Sequence, residues 1–402
     1  MQKVYLFLIS SLLLSACRTA KLPVVVEELD ENVRQAVEAA LVETRKAYAP
    51  DQRTALFTVE PAGRGNELAL RGETSLPAAK KAFLARLTAQ GIAYQDYIGV
   101  LPLPEMGEKT LGVVTISVAS IRSEPREAAE LATQATLGTP VRRFKQQGNW
   151  CLAQTPDGYI AWADAGAITW MDQPQYTRWK ESPKLVYVNP TGYAYAEPAL
   201  SAPVVSDLVG GSVLRRLGEQ DGFYRVGYPD GREAFVSNAE AKPYETWLAG
   251  LRTTGQSLVG TAKRMMGLPY LWGGTSYKAV DCSGFTKTVY FMNGLIIPRD
   301  ASQQVHAGEA VDISNGFGAL LSGDLLFFGK PAVGAEPERV THVGLWIGNQ
   351  EFIHAASQVR VSSLDPNALH YDEFNHQRLL RVKRILNKPS PLVTPLSQAN
   401  VF

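Results

Sequence analysis

The chain has 402 residues, 45% hydrophobic and 20% charged, a balance that excludes a mostly disordered chain and fits about two to four domains. Forty Lys and Arg against 39 Asp and Glu leave a net charge of +1, without the basic surplus that a nucleic-acid binder needs to neutralise phosphates, so no nucleic-acid partner is expected. Beyond residue 17 no apolar run approaches the roughly 20 residues of a membrane-spanning helix.

Residues 1–17, MQKVYLFLISSLLLSAC, carry one positive charge at Lys3, an apolar run and then small residues. That is the pattern of a short secretory signal. Leu14-Ser15-Ala16-Cys17 also resembles a bacterial lipobox. The resemblance implies cleavage before Cys17, lipid on that residue, and anchoring in the cell envelope, most simply on its periplasmic face. Two cysteines remain, Cys151 and Cys282. Cys151, in the strand-like run GNWCLAQ, reads as a small buried apolar residue. Cys282 is then a free thiol in an oxidising compartment, where free thiols are the exception.

Residues 25–108 read as a small α/β domain. A helix is expected over 27–49, then short strands at 56–59 and 67–71 around a Gly63/Gly65 turn. A second helix follows Pro77, capped by Thr74 or Ser75, and a strand covers 94–101. This segment resembles the small BON-type domains of bacterial envelope proteins. From about Leu111 the texture changes to short strands with turns about every ten residues. Ala119-Ser120-Ile121-Arg122-Ser123-Glu124-Pro125 answers Gly192-Tyr193-Ala194-Tyr195-Ala196-Glu197-Pro198, and both units close on Pro-Asp-Gly, at 156–158 and 229–231. The repeat, of roughly 70 residues, predicts two small β-barrels over 111–175 and 183–245. Each resembles a bacterial SH3-like domain. A last domain covers 255–385. The tail, 387–402, is rich in Pro, Ser and Gln and is expected to be poorly ordered.

All five histidines lie after residue 300, just beyond Cys282. The apolar run 285–292 predicts a helix with Cys282 at its start and Asp281 as its cap. A helix amino terminus favours the thiolate and presents backbone N–H groups to an oxyanion. THVGLWIG (341–348) and EFIHA (351–355) flank an Asn349-Gln350 turn, so one β-hairpin brings His342 and His354 close. One serves as base to the thiol and the other orients it. Two histidines and a cysteine can also ligate zinc.

PYLWGG, DCSGF, GDLLFF, THVGLWIG and FIHA, in that order, resemble the NlpC/P60 family of papain-like cysteine peptidases over about residues 255–385. The implied architecture is α+β, with a papain-like C-terminal domain preceded by two SH3-like barrels and the small α/β segment. The resemblance implies Cys282 as nucleophile, His342 as base, His354 as the orienting third residue, Tyr270 beside the nucleophile at the oxyanion site, and neither metal nor other cofactor. Asp324 of GDLLFF falls on a structural strand.

Two SH3-like units ahead of such a peptidase resemble the subgroup that cuts the γ-D-glutamyl–diamino acid bond of murein peptides with a free L-Ala amine. On that resemblance Asp300 anchors the amine, Ser283 contacts substrate, and Glu124 and Tyr159 of the first barrel reach the amine pocket. Ala301 stands where the subgroup often has a serine. The expected partners are L-Ala-γ-D-Glu-diamino acid peptides and, through the lipid, a membrane; a monomer is expected. The competing readings are a D,L-endopeptidase or amidase on intact peptidoglycan, an acyltransferase, and a catalytically silent wall-binding lipoprotein.

Overall fold

The computed structural model describes residues 29–402 apart from positions 66 and 400; the expected signal segment and Cys17 lie outside the described residues. Helix α1 (Glu31–Tyr48) starts where the Asp30 carboxylate accepts the backbone N–H groups of Asn32 and Val33 at 2.9 and 3.2 Å. Strands β1 (Phe57–Arg64) and β2 (Glu67–Thr74) form an antiparallel hairpin, and β3 (Gln95–Val100) lies parallel to β2. Parallel pairing requires a crossover, and α2 (Pro77–Ala89) supplies it. The cap of α2 differs from expectation. Its N-cap is Leu76, with no side-chain cap; the Thr74 hydroxyl accepts the Leu76 N–H at 3.0 Å and donates to the Leu56 carbonyl at 2.7 Å, ahead of the helix. Pro77 in the first turn sets the helix start instead. Phe57, Leu70 and Phe83 are buried at the centre of this domain.

The repeat is exact in topology. The first unit contains β4 (Leu111–Val114), β5 (Val118–Arg122), β6 (Leu131–Thr136), β7 (Pro140–Gln147), β8 (Trp150–Gln154), β9 (Ile160–Asp164) and β10 (Ile168–Met171). The second contains β11 (Lys184–Tyr187), β12 (Thr191–Tyr195), β13 (Val204–Val209), β14 (Val213–Gln220), β15 (Phe223–Gly227), β16 (Glu233–Ser237) and β17 (Ala241–Pro243). Their sheet orders, β10-β4-β7-β8-β9-β5-β6 and β17-β11-β14-β15-β16-β12-β13, superpose strand for strand. The two units touch at Gly138, which has a φ of +84°. A Cβ there would fall 2.0 Å from the Val213 carbonyl oxygen, so only glycine permits this approach.

The last domain is a six-stranded antiparallel sheet. Its order is Glu309–Val311, Leu379–Arg384, Leu325–Lys330, Arg339–Gly348, Glu351–Ala356, Gln358–Ser363. The Cys282–Phe291 helix packs on it through Phe285 and Val289, against Val343, Leu345 and Ile353. Gly284 lets this helix rest on the preceding loop, since a Cβ there would lie 1.9 Å from the Gly274 carbonyl oxygen. Asp324 is buried and ion-paired with Arg384 at 2.7 Å, a structural role.

The tail departs from expectation. Thr394–Pro395 pairs with Leu295–Ile296, Leu396 is buried, and the Phe402 ring meets Tyr244 and Phe291 at 5.6 and 6.1 Å. A Pro- and Ser-rich composition here carries four apolar anchors, Val393, Leu396, Val401 and Phe402, that pack against buried clusters.

Candidate active site

Cys282 opens its helix as expected, and Asp281 is the N-cap. One Asp281 oxygen accepts the Gly284 N–H at 2.7 Å and the other accepts the Gly273 N–H at 2.9 Å. Arg299, 1% exposed, donates to both Asp281 oxygens at 3.1 and 2.6 Å, to Ser283 Oγ at 3.0 Å and to Thr133 Oγ1 of the first barrel at 3.1 Å. A buried bidentate pair of this kind holds the loop before Cys282 at fixed geometry. It also ties the Ser283 hydroxyl to Arg299 and Asp281, although Ser283 lines the cleft as expected.

The thiol's protonation differs from expectation. Burial pushes Cys282 up to about 12, and the nearby Asp281 charge adds to the shift. The Val343 and Ser283 backbone N–H groups and Arg299 pull the other way and do not overcome it. The helix end that should favour a thiolate is outweighed by desolvation and by its own acidic cap. These surroundings favour the neutral thiol of Cys282 over the thiolate.

His342 lies on the Arg339–Gly348 strand, whose Val343 N–H faces the cysteine sulfur. The Asn349-Gln350 turn has φ of +53° and +59°, the two left-handed residues of a tight hairpin. It folds Glu351–Ala356 back so that His342 Nε2 and His354 Nδ1 lie 2.7 Å apart. His354 is fully buried, and its Nε2 meets Ser362 Oγ at 3.0 Å, with Asp372 Oδ2 at 3.8 Å. With Nε2 of His342 engaged by His354, Nδ1 is its remaining ring nitrogen. Burial lowers His342 from 6.5 to about 4, so it rests neutral, as a base must.

An open cleft of about 470 Å³ runs from this site to the first barrel and α/β domain. Cys282, Tyr270, Ser283, Asp300 and Tyr159 all line it. Burial pushes the Tyr270 phenol up, and the Cys282 charge is the next cause, so phenol and thiol are neighbours. The Tyr159 hydroxyl crosses the interface and donates to Asp300 Oδ2 at 3.3 Å. Burial raises the Asp300 carboxyl despite Arg299 and Arg53 beside it.

Glu124 is a correction. It is exposed, held by Arg126 at 2.9 Å, and is not among the residues lining the cleft. The turn after β5 points it to solvent. The barrel's acid in the cleft is Glu130, which accepts the Trp272 indole N–H at 2.6 Å. Four more participants escape sequence reading: Arg53, Arg299, Glu130 and Ser362. Arg299 neighbours Asp300 in sequence; the others are brought in by tertiary contacts.

Comparison with known proteins identifies the family. Residues 267–378 match the NlpC/P60 family, 121–168 the bacterial dipeptidyl-peptidase Sh3 domain, and 191–242 the bacterial SH3 domain. The chain is 31% identical over 247 residues to a gamma-D-glutamyl-L-lysine dipeptidyl-peptidase of Bacillus cereus, covering 60% of this chain and 71% of that protein. The protein of the same description from Bacillus subtilis is 30% identical, covering 56% and 72%. Among solved structures, an NlpC/P60 family protein from Bacillus cereus superposes with a TM-score of 0.58 at 25% identity, covering 69% of this chain and 99% of that one. The chain belongs to the NlpC/P60 family, as a cysteine peptidase with two bacterial SH3 domains, and is a cell-wall peptide hydrolase.

Proposed function

We propose that the protein hydrolyses the γ-D-Glu–diamino acid bond of murein peptides that begin with a free L-Ala amine. The observation that carries this reading is the cleft itself. Its reactive end holds Cys282 and Tyr270, and its other end holds Asp300 with Tyr159 of the first barrel. A free amine needs a carboxylate in a partly enclosed site, and a barrel wall beside that carboxylate would obstruct a longer strand. The relatives described as gamma-D-glutamyl-L-lysine dipeptidyl-peptidases support the choice of bond.

The chemistry follows from the neutral thiol and neutral imidazole. The Cys282 sulfur attacks the γ-glutamyl carbonyl carbon while its proton passes to His342. Backbone N–H groups at the helix start and the Tyr270 hydroxyl hold the oxyanion. His354 and Ser362 keep the imidazolium in register. His342 then gives its proton to the departing amine of the diamino acid, leaving a Cys282 thioester. Water attacks the thioester, its proton goes to His342 and on to the sulfur, and L-Ala-D-Glu leaves with the thiol restored. Anchoring in the envelope through Cys17 would place the enzyme where such peptides are released.

The test is incubation of the full chain, and of Cys282→Ala, with L-Ala-γ-D-Glu-meso-diaminopimelate and with its N-acetylated form. Mass spectrometry should find L-Ala-D-Glu from the free peptide only, with wild type only. Equal cleavage of both peptides would remove the amine pocket while leaving the peptidase. No cleavage of either would point to another bond.

A further inference from the structure

The position on Asp300 assigned to the substrate's ammonium is filled by the protein itself. The loop between α1 and β1 leaves the N-terminal domain and reaches the end of the cleft. There Arg53 Nη1 donates to Asp300 Oδ2 at 2.6 Å and to Ser302 Oγ at 3.0 Å. Tyr159 donates to the same Asp300 oxygen, so the guanidinium occupies the site that Asp300 and Tyr159 form together. Asp51 grips Arg53 from the other side, through Nε at 2.8 Å and Nη2 at 2.7 Å. Asp51 in turn accepts from Gln303 Nε2 at 2.6 Å, which docks the loop on the catalytic domain.

Two features make this contact reversible. The Arg53 side chain is 39% exposed at the cleft, unlike the fully enclosed Arg299. If it swings off Asp300 it keeps Asp51 as counter-ion, so its charge is not stranded. Asp300 is then left with Arg299 alone, 3.8 Å away and already paired with Asp281, in a half-buried position where an under-compensated carboxylate is costly. Asp51, Arg53 and Asp300 together carry one surplus negative charge, which a single ammonium completes.

We propose that Arg53 is a tethered competitor for the substrate's terminal ammonium, so that the N-terminal domain gates the amine end of the cleft. This rests on the reading that Asp300 receives the free amine. A peptide that brings its own ammonium restores the charge on Asp300 once Arg53 leaves, whereas one with a neutral amino end does not. Because the competitor is tethered, it acts at high effective concentration. The apparent affinity for the peptide is lowered by the fraction of molecules in which Asp300 is unoccupied.

The test is calorimetric binding of L-Ala-γ-D-Glu-meso-diaminopimelate to the full chain carrying Cys282→Ala, which prevents turnover. If Arg53 covers Asp300 about nine-tenths of the time, Arg53→Ala in that background binds about tenfold tighter. Arg53→Gln, which keeps a hydrogen-bonding head to dock the loop, tightens binding in the same direction and serves if the alanine variant folds poorly. Adding Asp300→Asn removes the gain, because both cations lose their target. Unchanged or weaker binding in both Arg53 variants, with Asp300→Asn still weakening the parent, would overturn the competitor and leave the amine site standing. Binding indifferent to Asp300→Asn would overturn both.

Discussion

His342 Nε2 and His354 Nδ1 stand 2.7 Å apart across a β-hairpin, and His354 is in turn held by Ser362 Oγ at 3.0 Å. His342 is thus held by a fully buried second imidazole. Removing that imidazole leaves His342 able to accept a proton but not held at the angle the thiol needs. His354→Ala is expected to lower kcat by about 10²-fold or more, with KM changed little, since His354 does not line the cleft. Ser362→Ala should give a smaller loss in the same direction. Steady-state kinetics on the free-amine tripeptide check both; a KM effect with kcat intact would place His354 in substrate binding instead.

Acid should loosen this pair. Burial lowers both imidazoles from 6.5, His342 to about 4 and His354 to about 3, with the neighbouring His342 as the second cause for His354. A group whose folded pKa is depressed contributes stability above its unfolded value and loses it as pH falls through the folded value. The expected window runs from pH 6.5 down to about 4 for His342 and about 3 for His354, and unfolding free energies from urea titrations should fall across it. The His342→Gln/His354→Gln variant should show a shallower fall over the same range. Cys282 has the opposite sign. Its folded pKa, about 12 against 9.0, contributes stability that is lost as pH rises from 9 towards 12. At pH 8 its alkylation by iodoacetamide should be at least about tenfold slower than that of free cysteine.

Much of the site is legible in the sequence because its residues come in contiguous motifs whose local structure is strongly determined. Asp281 before Cys282 is a helix cap, and Asn349-Gln350 between two apolar runs is a hairpin turn. Both features survive in the fold. The repeat is legible for the same reason, as each barrel closes on its own Pro-Asp-Gly turn. What is not legible depends on the meeting of domains. Nothing in Asp51-Gln52-Arg53 indicates that it reaches Asp300, 247 positions away. Glu124 and Glu130 flank one loop of the first barrel, and only docking against Trp272 decides that Glu130 enters the cleft. The resting state of Cys282 is likewise a matter of burial, which a cap motif does not report.

The Arg299–Asp281 pair gives a stability prediction. Both groups are buried, and Arg299 bridges the nucleophile's helix to Thr133 of the first barrel. Arg299→Met strands the Asp281 carboxylate and is expected to cost about 3–5 kcal/mol, read from chemical denaturation. Arg299→Lys keeps the charge but loses the two-pronged geometry, and should cost less while still lowering kcat. Full activity in Arg299→Lys would mean that charge alone, without the fork, positions the cysteine loop.

A second link between the barrel and the nucleophile's helix lies on its far side. Asp157, in the Pro-Asp-Gly turn, pairs with Lys287 at 2.8 Å, with 2% and 18% of the side chains exposed. Burial works to raise the Asp157 carboxyl, but Lys287 and the Thr155 hydroxyl hold it below its usual range. Lys287 lies five positions after Cys282 on one helix, so this contact helps fix the helix's orientation against the first barrel. Asp157→Ala and Lys287→Ala are each expected to cost about 1–3 kcal/mol, because each leaves a mostly buried charge unpaired. The double variant should cost less than the sum of the two, by about 0.5–3 kcal/mol, as expected for residues in direct contact. Additive costs would show that the two side chains stabilise the protein through separate surroundings, and that the helix is oriented without their pairing.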